Sequence, residues 1–143
     1  MPDSLPSALL FSELLPSEAA YAALFETTGW NTMYRRTPAQ LAAALRESWY
    51  LQTAYRGDAL VGAGRLVSDG VLYAVVFDLI VFPEWRGRGV GSAILHRLLD
   101  HAAEAGIPDV LLFAARVTEP FYQRHGFVPR PTEAPGMIAR LTR

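Results

Sequence analysis

Residues 84–91 read EWRGRGVG and run directly into SAILHRLLDHAAEAG at 92–106. The segment before them, VLYAVVFDLIVFP at 71–83, is the nearly unbroken apolar run of a buried strand. In the segment after them, Ile94, Leu95, Leu98, Leu99 and Ala102 recur at helical spacing, while Arg97, Asp100 and Glu104 fall on the other side. Glycines and arginines therefore alternate where a strand turns into a helix. A helix start leaves backbone N–H groups without intrahelical acceptors and carries about half a positive charge from the macrodipole. Gly87, Gly89 and Gly91 remove the Cβ atoms that would hold an oxygen off those groups, and Arg86 and Arg88 add charge. An anion such as a phosphate suits this turn; a plain tight turn with solvated arginines is the alternative.

Two familiar phosphate motifs do not fit. The NTPase loop needs G-x-x-x-x-G-K-[ST], and neither the lysine nor the spacing is present. A dinucleotide fingerprint needs glycine where Ser92 stands and further βα units after it, for which the chain is too short.

Outward from the turn, the rest of the chain reads as a mixed α/β domain. Ser17 caps a helix that Gly29 stops, and Thr37 with Pro38 opens a second carrying Leu41, Ala44 and Leu45. The β-like segments WYLQTAYR and ALVGAGRLV meet at Gly57 and Asp58, a hairpin turn. After the long helix, Gly106 and Pro108 lead to DVLLFAA, a short strand parallel to residues 71–82. TEPFYQRHG is a short helix from Thr118 to Gly126, and FVPR and GMIARLTR are expected to add one or two last strands. A ligand site is expected at the C-terminal ends of the parallel pair.

At 143 residues and 51% hydrophobic, one domain over residues 1–143 is expected. The net charge of −1 argues against a nucleic-acid face or a polybasic membrane anchor. The absence of cysteine removes thiolate nucleophiles and disulfides. No signal peptide or membrane-spanning run is visible, so a cytoplasmic chain is expected.

The segment Arg86-Gly87-Arg88-Gly89-Val90-Gly91 resembles the R/Q-x-x-G-x-G/A signature of the GCN5-related N-acetyltransferases, and PFYQRHGFVP resembles that family's Y-x-x-x-G-F segment. TTGW, LAAALRESWY, FDLIVFPEWRGRGVGSAIL and FYQRHGFVPRP look similar to the branch of plant serotonin N-acetyltransferases and their small bacterial relatives. The resemblance implies a mixed central sheet of about six to seven strands flanked by about four helices. It implies acetyl-CoA as cosubstrate, a small-molecule amine as acceptor, no metal, and homodimers among the assemblies the fold forms. Residues Arg86, Gly87, Arg88, Gly89, Val90, Gly91 and Ser92 would hold the coenzyme pyrophosphate, and the main chain of Leu79, Ile80 and Val81 would meet its pantetheine arm and polarise the carbonyl. Phe121 would touch the coenzyme, and Tyr122 would give a proton to the departing thiolate.

Acetyl transfer needs a neutral amine. A primary amine of pKa about 10.4 is neutral in only about one part in 10³ at pH 7, a deficit of roughly 4–5 kcal/mol. Asp78 is the ionisable group within residues 74–82 and is the first candidate for general base; a structural carboxylate held by N–H groups or an arginine is its other reading. Glu84 is the second candidate. Trp30 and Tyr34, with Trp49 and Tyr50 nearby in sequence, are candidates to stack on an aromatic acceptor. His96, His101 and His125 lack metal-ligand spacing. Where many family members carry an asparagine after the fifth strand, this chain reads FAARVTE, with Thr118 or Arg116 as substitutes. The expected function is acetyl-CoA-dependent N-acetyl transfer to a primary amine by direct transfer in a ternary complex, with an arylalkylamine as the first acceptor class and a polyamine, an antibiotic-like amine or a protein lysine as the others; a catalytically silent coenzyme A-binding sensor or partner module is the alternative.

Overall fold

The computed structural model describes residues 5, 6 and 8–141. They fall into two units, one ending at Leu112 and one beginning at Phe113.

The first unit opens with strand β1 (Leu9–Ser12), followed by helices α1 (Glu18–Glu26), α2 (Asn31–Tyr34) and α3 (Pro38–Arg46). The Ser17 hydroxyl accepts from the Ala20 N–H to start α1. Thr37 and Gln40 exchange hydrogen bonds in a capping box that starts α3, with Pro38 in its first turn. Helix α2 is a single turn that brings the helices among the described residues to five, one more than the four expected. It ends at Arg35 in a left-handed conformation, held as the Asn31 side chain donates to and accepts from the Arg36 backbone.

Strands β2 (Tyr50–Arg56) and β3 (Ala59–Ser68) form a hairpin turned by Gly57 at φ +57°, and β4 (Tyr73–Val81) returns beside β3. A short 3-10 segment at Pro83–Trp85 leads into α4 (Val90–Glu104) and β5 (Asp109–Leu112). The sheet order is β1-β2-β3-β4-β5, antiparallel up to β4, with β4 and β5 parallel across the α4 crossover.

The β3 sequence explains how helices cover both faces. Ala63 joins Leu51, Leu60 and Ile80 against Tyr21, Leu24, Phe25, Leu41 and Leu45 of α1 and α3. Gly62 and Gly64 point to the other face, where a Cβ would lie 3.1 Å from Ile94 Cδ1 and 3.0 Å from Ile94 Cγ2, respectively. The missing side chains let α4 lie directly on the strand, burying Val90, Ile94, Leu95, Leu98 and Ala102. Gly106 at φ +79° ends α4, as the Gly106 and Ile107 amides donate back to Ala103 and Ala102.

The second unit holds α5 (Glu119–Gln123) and an irregular segment to Leu141. Five strands form among the described residues, not the six or seven expected: residues 127–141 make no strand, and Thr142 and Arg143 lie outside the described residues. Pro129, Pro131 and Pro135 remove ladder donors, and Val128, Met137 and Ile138 remain exposed, so no buried face rewards pairing.

Candidate active site

Strand β4 outruns its parallel partner. Pairing with β5 runs from Tyr73↔Asp109 to Val76↔Leu112 and stops, whereas pairing with β3 continues to Gly62↔Val81. Among the described residues, 77–81 therefore have a strand along one edge only. At the point of parting the register with β3 shifts: Phe77 faces Arg65 and Ile80 faces Ala63, so Asp78 and Leu79 together oppose Gly64. This is a β-bulge, and Asp78 takes φ +52°, a left-handed conformation that aspartate tolerates better than bulkier residues.

Beyond the bulge, the Phe82 N–H donates to the Val61 carbonyl of β3 at 2.9 Å. Alternation along the strand then turns the amides of Leu79 and Val81 toward the open edge, and that of Ile80 toward β3. The Ile80 side chain is buried in the α1–α3 core. The Val81 carbonyl is taken by Arg86 Nε at 3.0 Å, which ties the glycine turn to the strand end. Leu79 is left with an N–H and a carbonyl, and Val81 with an N–H, facing a gap suited to an extended amide-bearing chain.

Asp78 is not alone among apolar neighbours. Its Oδ2 accepts from Arg65 Nε at 3.0 Å, with the two side chains 22% and 17% exposed. Arg65 Nη1 reaches Ser48 Oγ at 3.3 Å, and the guanidinium carbon lies 5.5 Å from the Phe77 ring centre. The α1 residue Tyr21 belongs to the same surroundings. Burial raises its hydroxyl far above the ordinary phenol range; the Asp78 charge adds to the rise and Arg65 opposes it.

In the glycine turn, Gly87 and Gly89 take φ +73° and +80°, and Gly89 is the N-cap of α4 with no side chain to close it. A Cβ on Gly87 would meet nothing within 4 Å, so this glycine answers a need for positive φ rather than for space. The first helical bond runs from the Ala93 N–H to the Gly89 carbonyl at 3.0 Å. The amides of Val90 and Gly91 thus lie in a first turn that lacks helical acceptors, with Ser92 beside them. Arg88 packs 4.9 Å from the Trp85 ring centre, and Arg56 of the β2–β3 hairpin lies 5.7 Å from the same ring. Arg56, Arg86 and Arg88 concentrate positive charge at this end of the sheet, beside the α4 amides, an arrangement that suits an anion.

In the second unit, the Y-x-x-x-G-F segment is a helix-capping device. Gly126, at φ +88°, donates to the Gln123 carbonyl at 3.2 Å, and the Phe127 N–H donates to the Tyr122 carbonyl at 3.1 Å. The Phe127 ring packs edge-on against Tyr122 at 5.8 Å, and Phe121 does so at 5.1 Å. Tyr122 is thereby fixed from two sides, and burial raises its hydroxyl above the ordinary phenol value. Ahead of α5, Thr118 Oγ1 donates to the Ala115 carbonyl at 2.7 Å, and the exposed Val117 sits at φ +59°.

The aromatic candidates separate. Trp30 packs edge-on against Phe25 at 5.9 Å beside the α1–α3 core, and Tyr34 is half exposed on α2. Trp49 and Tyr50 belong to the opposite face of the sheet, where His101 of α4 stacks on Tyr50 at 3.6 Å and meets Trp49 edge-on at 4.8 Å. Tyr50 also donates to Glu13 and accepts from Gln52. Glu84 is exposed in the 3-10 segment. Sequence reading missed Arg65, although a signal was there: it is the charged residue of an otherwise apolar β3, one strand away from the charged residue of β4.

The sequence profile of the acetyltransferase (GNAT) family matches residues 16–127. A chloroplastic GCN5-related N-acetyltransferase of Arabidopsis thaliana is 31% identical over 135 residues, covering 80% of this chain and 51% of its own length. A chloroplastic serotonin N-acetyltransferase of rice is 35% identical over 77 residues, covering 54% of this chain and 38% of its own. The chain thus spans about half the length or less of these two relatives. The solved structure of a GNAT-family acetyltransferase from Streptococcus pneumoniae is 29% identical, with a TM-score of 0.75 over 94% of this chain and 97% of that one. With a matched profile across most of its length and this fold around the glycine turn, the chain belongs to the acetyltransferase (GNAT) family.

Proposed function

We propose that this chain transfers the acetyl group of acetyl-CoA to a primary amine, of the arylalkylamine class, by direct transfer in a ternary complex. The observation that carries the reading is the parting of β4 from β5 beside the glycine turn, which supplies free strand amides and an electropositive helix start at one end of the sheet. Acetyl-CoA supplies the thioester. The amides of Val90 and Gly91 and the arginines around Trp85 fit its diphosphate, and the Leu79 and Val81 amides fit the pantetheine arm and the reacting carbonyl oxygen.

In this reading Asp78 accepts the proton of the incoming amine, whose nitrogen bonds to the carbonyl carbon as the carbon–sulfur bond breaks. Tyr122, kept neutral by burial, gives its phenolic proton to the leaving sulfur; that role rests on the family motif. The absence of cysteine leaves no thiol for an acyl-enzyme, in keeping with direct transfer. Trp30, packed beside the α1–α3 core, and Tyr34 of the adjoining α2 are the proposed acceptor contacts. The serotonin N-acetyltransferase likeness supports an aromatic amine. The family profile crosses the boundary between the two units, which supports reading residues 1–143 as one acetyltransferase domain. The proposed compartment is the cytoplasm, with the plastid of the plant relatives as the alternative that fractionation separates; homodimer formation is proposed for light scattering to check.

The test is thiol release from acetyl-CoA with tryptamine, serotonin, phenethylamine, spermidine, an aminoglycoside and a lysine peptide, alongside calorimetric binding of the coenzyme. The chain has no lysine, so its own side chains offer no competing amine. Turnover with the aromatic amines is expected; binding without turnover of any amine points instead to a silent coenzyme-binding module, for which the Asp78–Arg65 pair is then purely structural.

A further inference from the structure

We propose that Arg65 is a positioning residue of the transfer reaction, acting through Asp78; the inference rests on Asp78 being the proton acceptor. A carboxylate on a strand usually points where the pleat sends it, but Asp78 sits in a bulge at φ +52°, where neither the ladder nor a helix sets its direction. What sets it is the guanidinium across the hairpin. Arg65 Nε holds Oδ2 at 3.0 Å, and that guanidinium is itself held by Ser48 Oγ at 3.3 Å and the Phe77 ring at 5.5 Å. Ser48 Oγ in turn donates to the Ala44 carbonyl of α3 at 3.1 Å, so the chain of contacts ends in a helix of the core.

The pair engages only one carboxylate oxygen. With Oδ2 occupied, Oδ1 is the oxygen left to accept a proton, one residue ahead of the Leu79 amide at the open edge of β4. Arginine suits this task because it stays charged at every working pH and its planar fork fixes direction as well as distance. Arg65 from β3 and Tyr21 from α1 are ionisable groups that face Asp78, and burial keeps the tyrosine neutral. Arg65 touches no reacting atom in this scheme. It determines where Oδ1 lies.

The test is a double-mutant cycle on the full chain, using Asp78→Asn, Arg65→Met and both together, with Arg65→Lys as the conservative variant. The readouts are kcat and amine KM with the fastest amine of the panel, calorimetric Kd for acetyl-CoA, and melting temperature. Loss of the base is expected to lower kcat by about 10²–10⁴-fold. Loss of its positioning is expected to lower kcat by about 10–100-fold with coenzyme Kd unchanged. The double variant should be no slower than Asp78→Asn alone, since Arg65 then has nothing to position. Arg65→Lys, keeping the charge without the fork, should recover part of the loss, and it serves as the working variant if Arg65→Met does not fold.

Full activity in a folded Arg65→Met or Arg65→Lys, beside an impaired Asp78→Asn, would overturn the positioning role and leave the base intact. Losses that multiply in the double variant would overturn it as well. Full activity in Asp78→Asn would remove the base assignment and this inference with it.

Discussion

Replacing Gly64 by alanine tests the packing that supports the site. A Cβ there would lie 3.0 Å from Ile94 Cγ2, 3.0 Å from Leu79 Cδ1 and 3.1 Å from Leu98 Cδ1, closer than carbon atoms normally approach. Ile94 and Leu98 are fully buried at 0% exposure and cannot yield, so the strain falls on Leu79, which is only half buried. Overpacking of this kind costs about 1–3 kcal/mol. Removing a glycine from the unfolded chain returns about 0.4–1 kcal/mol. A net loss of about 1–2 kcal/mol is expected, or a fall of roughly 3–8 °C in melting temperature. Because Gly64 faces the Asp78–Leu79 bulge, a displaced Leu79 also moves its amide at the open edge, and coenzyme affinity should weaken. Gly106→Ala is the control: its Cβ would meet nothing within 4 Å, but φ +79° makes alanine cost about 1–2 kcal/mol. It should lower the melting temperature and leave the coenzyme Kd alone. Calorimetry and thermal melts on both variants decide the matter. A Gly64→Ala protein as stable as the parent, or one destabilised with coenzyme Kd untouched, would refute the link between β3 packing and the β4 edge.

Gly89→Glu should raise the coenzyme Kd at least tenfold by calorimetry, since it brings a negative charge to the helix start and a side chain to φ +80°; unchanged binding would remove the pyrophosphate assignment. Tyr122→Phe should lower kcat by about 10²-fold while coenzyme Kd holds, and an unaffected kcat would move the acid role elsewhere. Asp69, at the β3–β4 turn, accepts from the Val71, Leu72 and Tyr73 amides, which hold its carboxyl below the usual range. A depressed folded-state value means that the stabilisation is present above the unfolded value of about 3.9 and is lost as pH falls through the folded one. The melting-temperature gap between the parent and Asp69→Ala should therefore be widest near neutrality and narrow below about pH 4; a gap independent of pH would contradict this role.

Much of the first unit is legible residue by residue. Ser17, Thr37 with Pro38, the Gly57 turn, the apolar face of α4 and the Gly106 stop all act where the sequence places them. The Gly126 cap shows the same for α5, and it explains why the tyrosine and phenylalanine of that segment come as a set: they are the two ends of one capping motif. The expected last strands fail because a short apolar run becomes a strand only where it meets a face to bury against. Phe127-Val128 and Met137-Ile138 are such runs, but the prolines at 129, 131 and 135 interrupt the ladder, and Val128, Met137 and Ile138 remain exposed. Trp49 and Tyr50 mislead for a related reason, since nearness in sequence to α3 does not say which side of the sheet a strand residue faces.

The sequence by itself determined the glycine turn, the helix it starts, the hairpin order and the family, because caps, turns and helical periodicity depend on residues within about four positions of one another. Only the tertiary structure decided that Asp78 is paired with Arg65, that Leu79 and Val81 face an open edge, and that Gly62 and Gly64 exist to admit α4. Each of those facts depends on register: where a bulge shifts it, and where a neighbouring strand stops. Register is a property of two segments at once, and no single stretch of this chain carries it.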